Sequence, residues 1–332
     1  MSQTQPTILV TGGAGYIGSH AVLALQQAGY RVIVFDNLSY GHRDLIENVL
    51  QAELIVGDIG DRPLLDQLLQ DRKMDAVMHF AAFIAVGESV QKPAMYYHNN
   101  VIGTLTLLEA LVAANIQKFV FSSTCAVYGI PQEIPMTENH PINPVSPYAH
   151  SKRMVEQMLA DFEQAYGLKS VIFRYFNASG AEPTGLLGED HHLETHLIPL
   201  ALLTALKKRS HLSIFGDDYD TPDGTALRDY IHVCDLAQAH ILGLEHLLKG
   251  GDSEIFNLGN GNGFSVKEVI ETAEAVTGLP IPVQQCPRRV GDSPTLIGSS
   301  QKAQEKLGWH PQYSDLRMIV EHAWQWHQKR HG

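Results

Sequence analysis

Along the N-terminal half of the chain, short runs of four or five apolar residues alternate with polar or glycine-rich breaks and with stretches of helical periodicity. Thr7-Ile8-Leu9-Val10 is the first run, and residues 19–28 carry the first helical pattern, which ends at Gly29. Further runs follow at Arg31-Val32-Ile33-Val34-Phe35, Leu54-Ile55-Val56, Asp75-Ala76-Val77-Met78-His79, Lys118-Phe119-Val120-Phe121 and Ser170-Val171-Ile172-Phe173-Arg174-Tyr175-Phe176. Continuous apolar runs bounded by turn residues suit strands buried on both faces, and strands that alternate with helices suit parallel pairing. The pattern therefore predicts an α/β fold built on a doubly wound parallel sheet. At Asn177 the alternation stops. Residues 178–192 are rich in glycine, proline and acids and read as an excursion into a smaller second domain, while Ser253-Glu254-Ile255-Phe256-Asn257-Leu258 reads as a strand returning to the sheet. The expected division is 1–177 plus about 229–258 for the first domain and 178–228 plus about 259–332 for the second. The last pattern, residues 314–327, is amphipathic, and its Trp324 and Trp326 suit core packing.

The breaks carry the candidate chemistry. After the first strand comes Thr11-Gly12-Gly13-Ala14-Gly15-Tyr16-Ile17-Gly18, with Gly12, Gly15 and Gly18 spaced three apart. A strand, glycine turn and helix bring backbone N–H groups and a positive dipole end to a pyrophosphate. The second strand ends at Asp36, an acid placed to accept hydrogen bonds from an adenosine ribose, which suits NAD over NADP. The third and fourth strands lead to Gly57-Asp58-Ile59 and Phe80-Ala81-Ala82, and the fifth delivers Ser122-Ser123-Thr124, so all reach the ligand edge of the sheet. Asn99 and Asn100 sit in a helical run to Ala114, where they suit either a solvated face or a cofactor contact.

In Ser146-Pro147-Tyr148-Ala149-His150-Ser151-Lys152, Ser146 suits an N-cap and Pro147 a first helical residue. Spacing of four then sets Tyr148 and Lys152 on one helical face. A fixed ammonium favours an ionised phenol, which can act as a general base. On its own the pair is more often a packed ring beside a solvated amine, so the other motifs carry the case.

Composition narrows the partners. The 332 residues are 44% hydrophobic and 18% charged, with a formal net charge of -12, which argues against nonspecific nucleic-acid binding. No apolar run reaches a membrane-spanning length, and the polar start Met1-Ser2-Gln3-Thr4-Gln5-Pro6 lacks a leader pattern. Three scattered cysteines, Cys125, Cys234 and Cys286, form no paired framework, so a cytoplasmic setting is expected.

Together these stretches resemble the extended short-chain dehydrogenase/reductase family, and within it the NAD-dependent UDP-sugar 4-epimerases. The resemblance also rests on Val86-Gly87-Glu88-Ser89-Val90, residues 96–101, Arg174-Tyr175-Phe176-Asn177, residues 224–233 and Arg288-Arg289-Val290-Gly291-Asp292. It implies a Rossmann-like fold and a discontinuous C-terminal substrate domain. The implied reaction interconverts UDP-galactose and UDP-glucose through transient oxidation at sugar C4 by bound NAD, a 4-keto intermediate and hydride return to the opposite face. Tyr148 is implied as the base, Lys152 as its partner and nicotinamide-ribose ligand, and Thr124 as the bridging hydroxyl. The implied NAD contacts are Gly12, Gly15, Tyr16, Ile17, Gly18, Asp36, Asn37, Asp58, Ile59, Phe80, Ala81, Ala82, Asn99, Ser122, Tyr148, Lys152 and Phe176. The implied UDP-sugar contacts are Thr124, Tyr148, Asn177, His196, Leu197, Phe215, Arg228, Arg289, Asp292 and Leu296. Arg228 and Arg289 suit a diphosphate because a guanidinium fork pairs two oxygens at once.

Several positions depart from one branch of the family. Ile84 stands where that branch has a lysine near the cofactor, His196 replaces an asparagine, and Leu296 is intermediate in bulk at a position that sets the space around the sugar 2-substituent. The glucose/galactose pair is the expected substrate, with N-acetylated, pentose and uronate UDP-sugars as alternatives and a catalytically silent NAD sensor as the reading from another class. Dehydration is disfavoured because Cys125 and Ala126 occupy the places of the acid pair that eliminates water. His191, His192 and His196 have a metal-like spacing, yet no cysteine lies nearby and the implied reaction needs no metal, so no metal site is expected. A homodimer pairing through the run from Val101 to Ala114 and the Tyr148 helix is expected from the resemblance.

Overall fold

The computed structural model describes residues 5–289 and 292–332; Met1-Ser2-Gln3-Thr4 and the Val290-Gly291 part of the diarginine motif lie outside the described residues. The elements run β1 (Thr7–Thr11), α1 (Tyr16–Gln27), β2 (Arg31–Asp36), β3 (Glu53–Val56), α2 (Arg62–Asp71), β4 (Ala76–His79), α3 (Val86–Gln91), α4 (Pro93–Tyr96), α5 (Thr104–Ala113), β5 (Lys118–Thr124), α6 (Pro147–Tyr166) and β6 (Lys169–Tyr175). They continue with β7 (Asn177–Ser179), α7 (Leu197–Ala205), β8 (Leu212–Phe215), β9 (Leu227–His232), α8 (Val233–Leu248), β10 (Glu254–Leu258), β11 (Gly263–Ser265), α9 (Val266–Thr277), β12 (Val283–Cys286), β13 (Thr295–Leu296), α10 (Gln301–Leu307) and α11 (Leu316–His331). A π-helical stretch, Tyr97–Gly103, leads into α5 and carries Asn99 and Asn100.

Seven strands form the main sheet in the order β10-β6-β5-β4-β1-β2-β3. From β3 across β2, β1 and β4 to β5 the pairs are parallel, as the continuous apolar runs predict. Strand order reverses between β1 and β4, and in open α/β sheets the carboxyl ends at such a reversal bind ligands. The glycine turn follows β1 and Phe80-Ala81-Ala82 follows β4, so both stand at that point. Side chains from the sheet, among them Leu9, Ile33, Phe35, Val77, Phe119 and Phe121, form one buried cluster with Leu107 and Leu111 of α5 and Val155 and Leu159 of α6.

The chain divides into two compact units, Met1–Gly129 with Ile142–Arg174 and Ala237–Phe256, and Ile130–Pro141 with Tyr175–Leu236 and Asn257–Gly332. Residues 130–141, 175–177, 229–236 and 257–258 fall in the second unit, differently from the expected boundaries. Residues 130–141 group with the second unit, where Met136 bridges to Gly298 and the Glu138 carboxylate accepts from Asn257 N at 2.7 Å. Residues 229–236 do so as well, because β9 pairs in parallel with β7 and Asp235 accepts from the backbone N–H groups of Gln312 and Tyr313, both at 2.9 Å. In the second unit β9 pairs with β7, β11 and β13, β8 pairs with β12, and α7, α9 and α11 bury Ile198, Leu202, Val269, Ile319 and Val320 together. Trp326 is buried there, while Trp324 packs against the same cluster from a half-buried position.

Candidate active site

In the first unit the glycine turn is built by close approach. Gly12 has φ +71, and a Cβ there would lie 2.4 Å from Ala81 N; a Cβ on Gly18 would lie 2.1 Å from Gly12 O. Neither position admits a side chain. Gly15 differs, since its Cβ would meet nothing nearer than Gly12 O at 3.4 Å. It is the N-cap of α1 and, being glycine, offers no side-chain cap to the first turn. An uncapped helix start beside a bare glycine surface is a fitting cradle for a pyrophosphate.

Asp36 closes β2 with its carboxylate buried, one oxygen accepting from Ala14 N at 3.0 Å and the other from Leu38 N at 2.8 Å. Burial raises its pKa, opposed by the two backbone hydrogen bonds. The acid thus ties the glycine turn to the end of β2. Asn37 donates to Asp58 at 2.8 Å, linking the ends of β2 and β3, and Ile59 beyond it is buried. Phe80 and Ala81 donate from their backbones to Thr11 O, and the Phe80 ring lies 4.9 Å from that of His240. Ala82 is half-buried, and Ile84, at the family's lysine position, is 45% exposed. Asn99 donates to Asn100. Asn100 exchanges hydrogen bonds with both the N–H and the C=O of Phe83 and donates to Ser151 of α6 at 3.0 Å. Asn100 serves as an internal strut, which is neither of the two readings open to the pair in the sequence.

The Tyr148 helix begins as its sequence predicts, with Ser146 Oγ accepting from Ala149 N and Pro147 first in the helix; it ends at Gly167 in the left-handed region. Lys152 is buried and donates from Nζ to Ser122 O at 2.7 Å. Its ammonium also lies 4.9 Å from the Phe121 ring centre. Burial lowers its pKa to about 7, with the Glu156 charge pulling upward. Thr124, at the end of β5, is buried and accepts from Ala126 N, starting the turn Cys125–Tyr128. Tyr148 is half-buried.

Behind these residues lies a network that spacing alone did not suggest. Glu156 is buried and accepts from Ser123 Oγ at 2.6 Å, from Arg174 at 2.9 and 2.7 Å, and from Arg153 at 3.1 Å; Arg174 also donates to Tyr128 Oη at 3.1 Å. One turn of α6, Lys152 to Glu156, therefore grips Ser122 and Ser123 immediately before Thr124. The signal in the sequence was an acid four residues past Lys152. Its partner, Arg174, is 18 residues further on and invisible to periodicity.

The second unit holds the other predicted contacts. Phe176 is buried, with its ring against Gly298, where a Cβ would lie 2.0 Å away. Asn177 donates to Asp229 O at 2.9 Å. Asp229 is fully buried and accepts from the N–H groups of Asn260, Gly261 and Gly298. Burial lifts its pKa to about 6 against those three bonds. Arg228 ion-pairs with Asp292 and donates to Ser293 O at 2.9 Å, while Leu296 stands beside Arg228 in the β13–β9 register. The exposed Arg289 guanidinium stacks over Phe215 at 3.9 Å. His196 caps α7 without a side-chain hydrogen bond to the helix, and Leu197 is the first helical residue.

His196 Nδ1 instead meets the buried Glu189, which also takes His191 Nδ1 at 3.1 Å. Burial works against charge on both rings, but Glu189 and Glu194 outweigh it and raise His191 to about 10 and His196 above its ordinary value. For Glu189, burial pulls up and the His196 and His191 charges hold it down at about 2. Of this cluster, only the histidines drew notice in the sequence. No helix among the described residues is long and apolar enough to cross a membrane.

Residues 8–259 match the NAD dependent epimerase/dehydratase family. The chain is 55% identical over 326 residues to the UDP-glucose 4-epimerase of Halalkalibacterium halodurans, covering 98% of this chain and 97% of that one. Among solved structures it is similar to a UDP-glucose 4-epimerase at a TM-score of 0.95, 52% identity and 98% coverage of each chain. The Brucella ovis UDP-glucose 4-epimerase in complex with NAD follows at a TM-score of 0.93 and 47% identity, covering 96% of this chain and 97% of that one.

Proposed function

The chain belongs to the NAD dependent epimerase/dehydratase family, and on that premise we propose that it acts as a UDP-glucose 4-epimerase, an isomerase that interconverts UDP-galactose and UDP-glucose. The observation that carries the reading is the likeness over nearly the whole chain at about half identity to enzymes of that activity, with Thr124, Tyr148 and Lys152 all present. The residues fit NAD: a glycine turn closed to side chains at Gly12 and Gly18 but open at Gly15, an uncapped α1, and Asp36 at the end of β2. Gly12, Gly15, Tyr16, Ile17 and Gly18 would hold the pyrophosphate, Asp36 with Asn37 the adenosine ribose, and Asp58 with Ile59 the adenine. Phe80, Ala81, Ala82, Asn99, Ser122 and Phe176 would complete the contacts.

When bound, NAD supplies the reversible oxidation at sugar C4. Tyr148 takes the proton of the sugar 4-hydroxyl and later returns it, a general-base role that contributes about 10²- to 10⁴-fold. Lys152 provides the positive charge that the ionised phenol requires, and Thr124 offers the hydroxyl through which the proton passes. Because the cofactor ends each cycle as it began, no second substrate is consumed. Asn177, His196, Leu197, Phe215, Arg228, Arg289 and Asp292 are the proposed UDP-sugar contacts. The stacked Arg289 and the Arg228–Asp292 pair support a diphosphate site, since both guanidinium groups are already oriented. Leu296 beside Arg228 is proposed to limit the sugar 2-substituent.

A cytoplasmic homodimer completes the reading. Ile102, 50% exposed in the helical run, and Met154, 45% exposed on α6, support pairing through those elements; light scattering that returns the mass of one chain would refute it. The activity is tested by releasing nucleotide from purified protein with denaturant and assaying UDP-galactose, UDP-N-acetylgalactosamine and UDP-arabinose in parallel. The expected result is one NAD per chain and fastest turnover of UDP-galactose. Protein with no nucleotide and no turnover would overturn the proposal, and faster use of either other sugar would move it to a sister activity.

A further inference from the structure

Residues 180–196 form neither strand nor helix, which is long for a connection inside a compact unit and calls for something that holds it. Its middle is fastened to α11: Trp326 Nε1 donates to Glu189 O at 3.1 Å, Arg330 donates to Asp190 at 2.8 Å, and Gly188 packs so closely on the Trp326 ring that a Cβ would lie 2.2 Å away. From that anchor onward, four side chains turn toward one point. Nδ1 of His191 and His196 and carboxylate oxygens of Glu189 and Glu194 all lie within 4.8 Å of one another.

From this convergence we propose that Glu189, His191, Glu194 and His196 bind one divalent d-block cation of the Zn²⁺ class. Two imidazoles with two carboxylates suit Zn²⁺, whereas Ca²⁺ and Mg²⁺ take oxygen ligands throughout. Bonds of about 2.0–2.2 Å in a tetrahedron place ligand atoms roughly 3.3–3.6 Å apart. His191 Nδ1 is 3.1 Å from Glu189 Oε1 and 3.6 Å from Glu194 Oε2, close to those edges, and His196 Nδ1 is 3.7 Å from the other Glu194 oxygen, Oε1. His196 and Glu189 are in direct contact, which a cation would separate, and no two of the four ligand atoms are more than 4.8 Å apart, so a shift of about an ångström draws them onto one ion. Glu194 is set in place beforehand, because one of its oxygens accepts from the N–H groups of Thr195 and His196 at 2.7 and 2.8 Å. The side chains of Glu189 and Glu194 are 2% and 9% exposed, so the acids are shielded from bulk water, while His196 remains open enough at 42% for the ion to enter. The ion would fix the position of His196, which the proposed function also gives to the UDP-sugar. It would staple the end of the long connection to the start of α7, which His196 caps.

The test uses the full chain without an affinity tag, stripped of metal and then dialysed with Zn²⁺ and against metal-free buffer. Elemental analysis is expected to return one Zn²⁺ per chain, Co²⁺ in its place to show the intense visible bands of a tetrahedral site, and Zn²⁺ to raise the Tm of the stripped protein. His191→Ala and Glu194→Gln, separately, are expected to abolish both the retention and the Tm rise with circular dichroism unchanged. Wild-type protein that retains no stoichiometric metal and shows no Tm change overturns the site. So does an equivalent of Zn²⁺ that survives both substitutions.

Discussion

Burial draws the Lys152 ammonium down to about 7 while Glu156, one turn on, draws it back up, so the ease with which Lys152 keeps its proton depends on both. The phenol is the proposed base, and Tyr148→Phe removes one oxygen and little volume. It is expected to keep bound NAD, measured after denaturant release, and to lose about 10²- to 10⁴-fold in kcat; near-normal turnover would sink the base assignment. Leu296 offers a second residue-scale test. Leu296→Gly removes a half-buried side chain next to Arg228, and the ratio of UDP-N-acetylgalactosamine to UDP-galactose turnover should rise. An unaltered ratio takes Leu296 out of the specificity argument.

At the scale of elements, α6 does more than present Tyr148. Lys152 holds Ser122 O, and Glu156 holds Ser123 and Arg174, so the helix fixes the strand end that carries Thr124. Glu156→Gln leaves the Arg174 charge buried without its counter-ion, a change expected to cost about 3–5 kcal/mol in denaturant unfolding. It also has a pH signature with a definite sign. The Glu156 charge favours protonated Lys152, so its removal lowers the pH at which the ammonium is lost. The alkaline limb of kcat/KM should therefore move to lower pH in Glu156→Gln, and a limb that stays in place in folded protein contradicts the coupling. The local parts of this arrangement were legible beforehand: the Ser146 cap, the Pro147 start and the four-residue spacing of Tyr148 and Lys152 are all matters of neighbours in sequence. Glu156 with Arg174 was not, because a helix residue meeting a strand residue depends on packing rather than on periodicity.

For the molecule as a whole, the seven-stranded sheet was legible because buried parallel strands write themselves as apolar runs, and the reversal at β1 and β4 falls where the glycine turn and Phe80-Ala81 were already noted. Domain boundaries were less so. Residues 130–141 join the second unit through the bridge of Met136 to Gly298 and the contacts of Met136 and Glu138 to Asn257, pairings more than a hundred residues apart that no local pattern announces. Three histidines drew notice in the irregular connection, while Glu189 and Glu194, which complete the cluster of His191 and His196, did not, although all four lie within eight residues; a segment with no helical or strand period gives no rule for which of its side chains converge. What unites the glycine turn, the Tyr148 helix and the two arginines is one claim, that the hydrogen leaving sugar C4 never reaches solvent. Turnover of UDP-galactose deuterated at C4 tests it most directly: mass spectrometry of the UDP-glucose formed should find the label retained at C4, and exchange of that label with solvent would contradict the account.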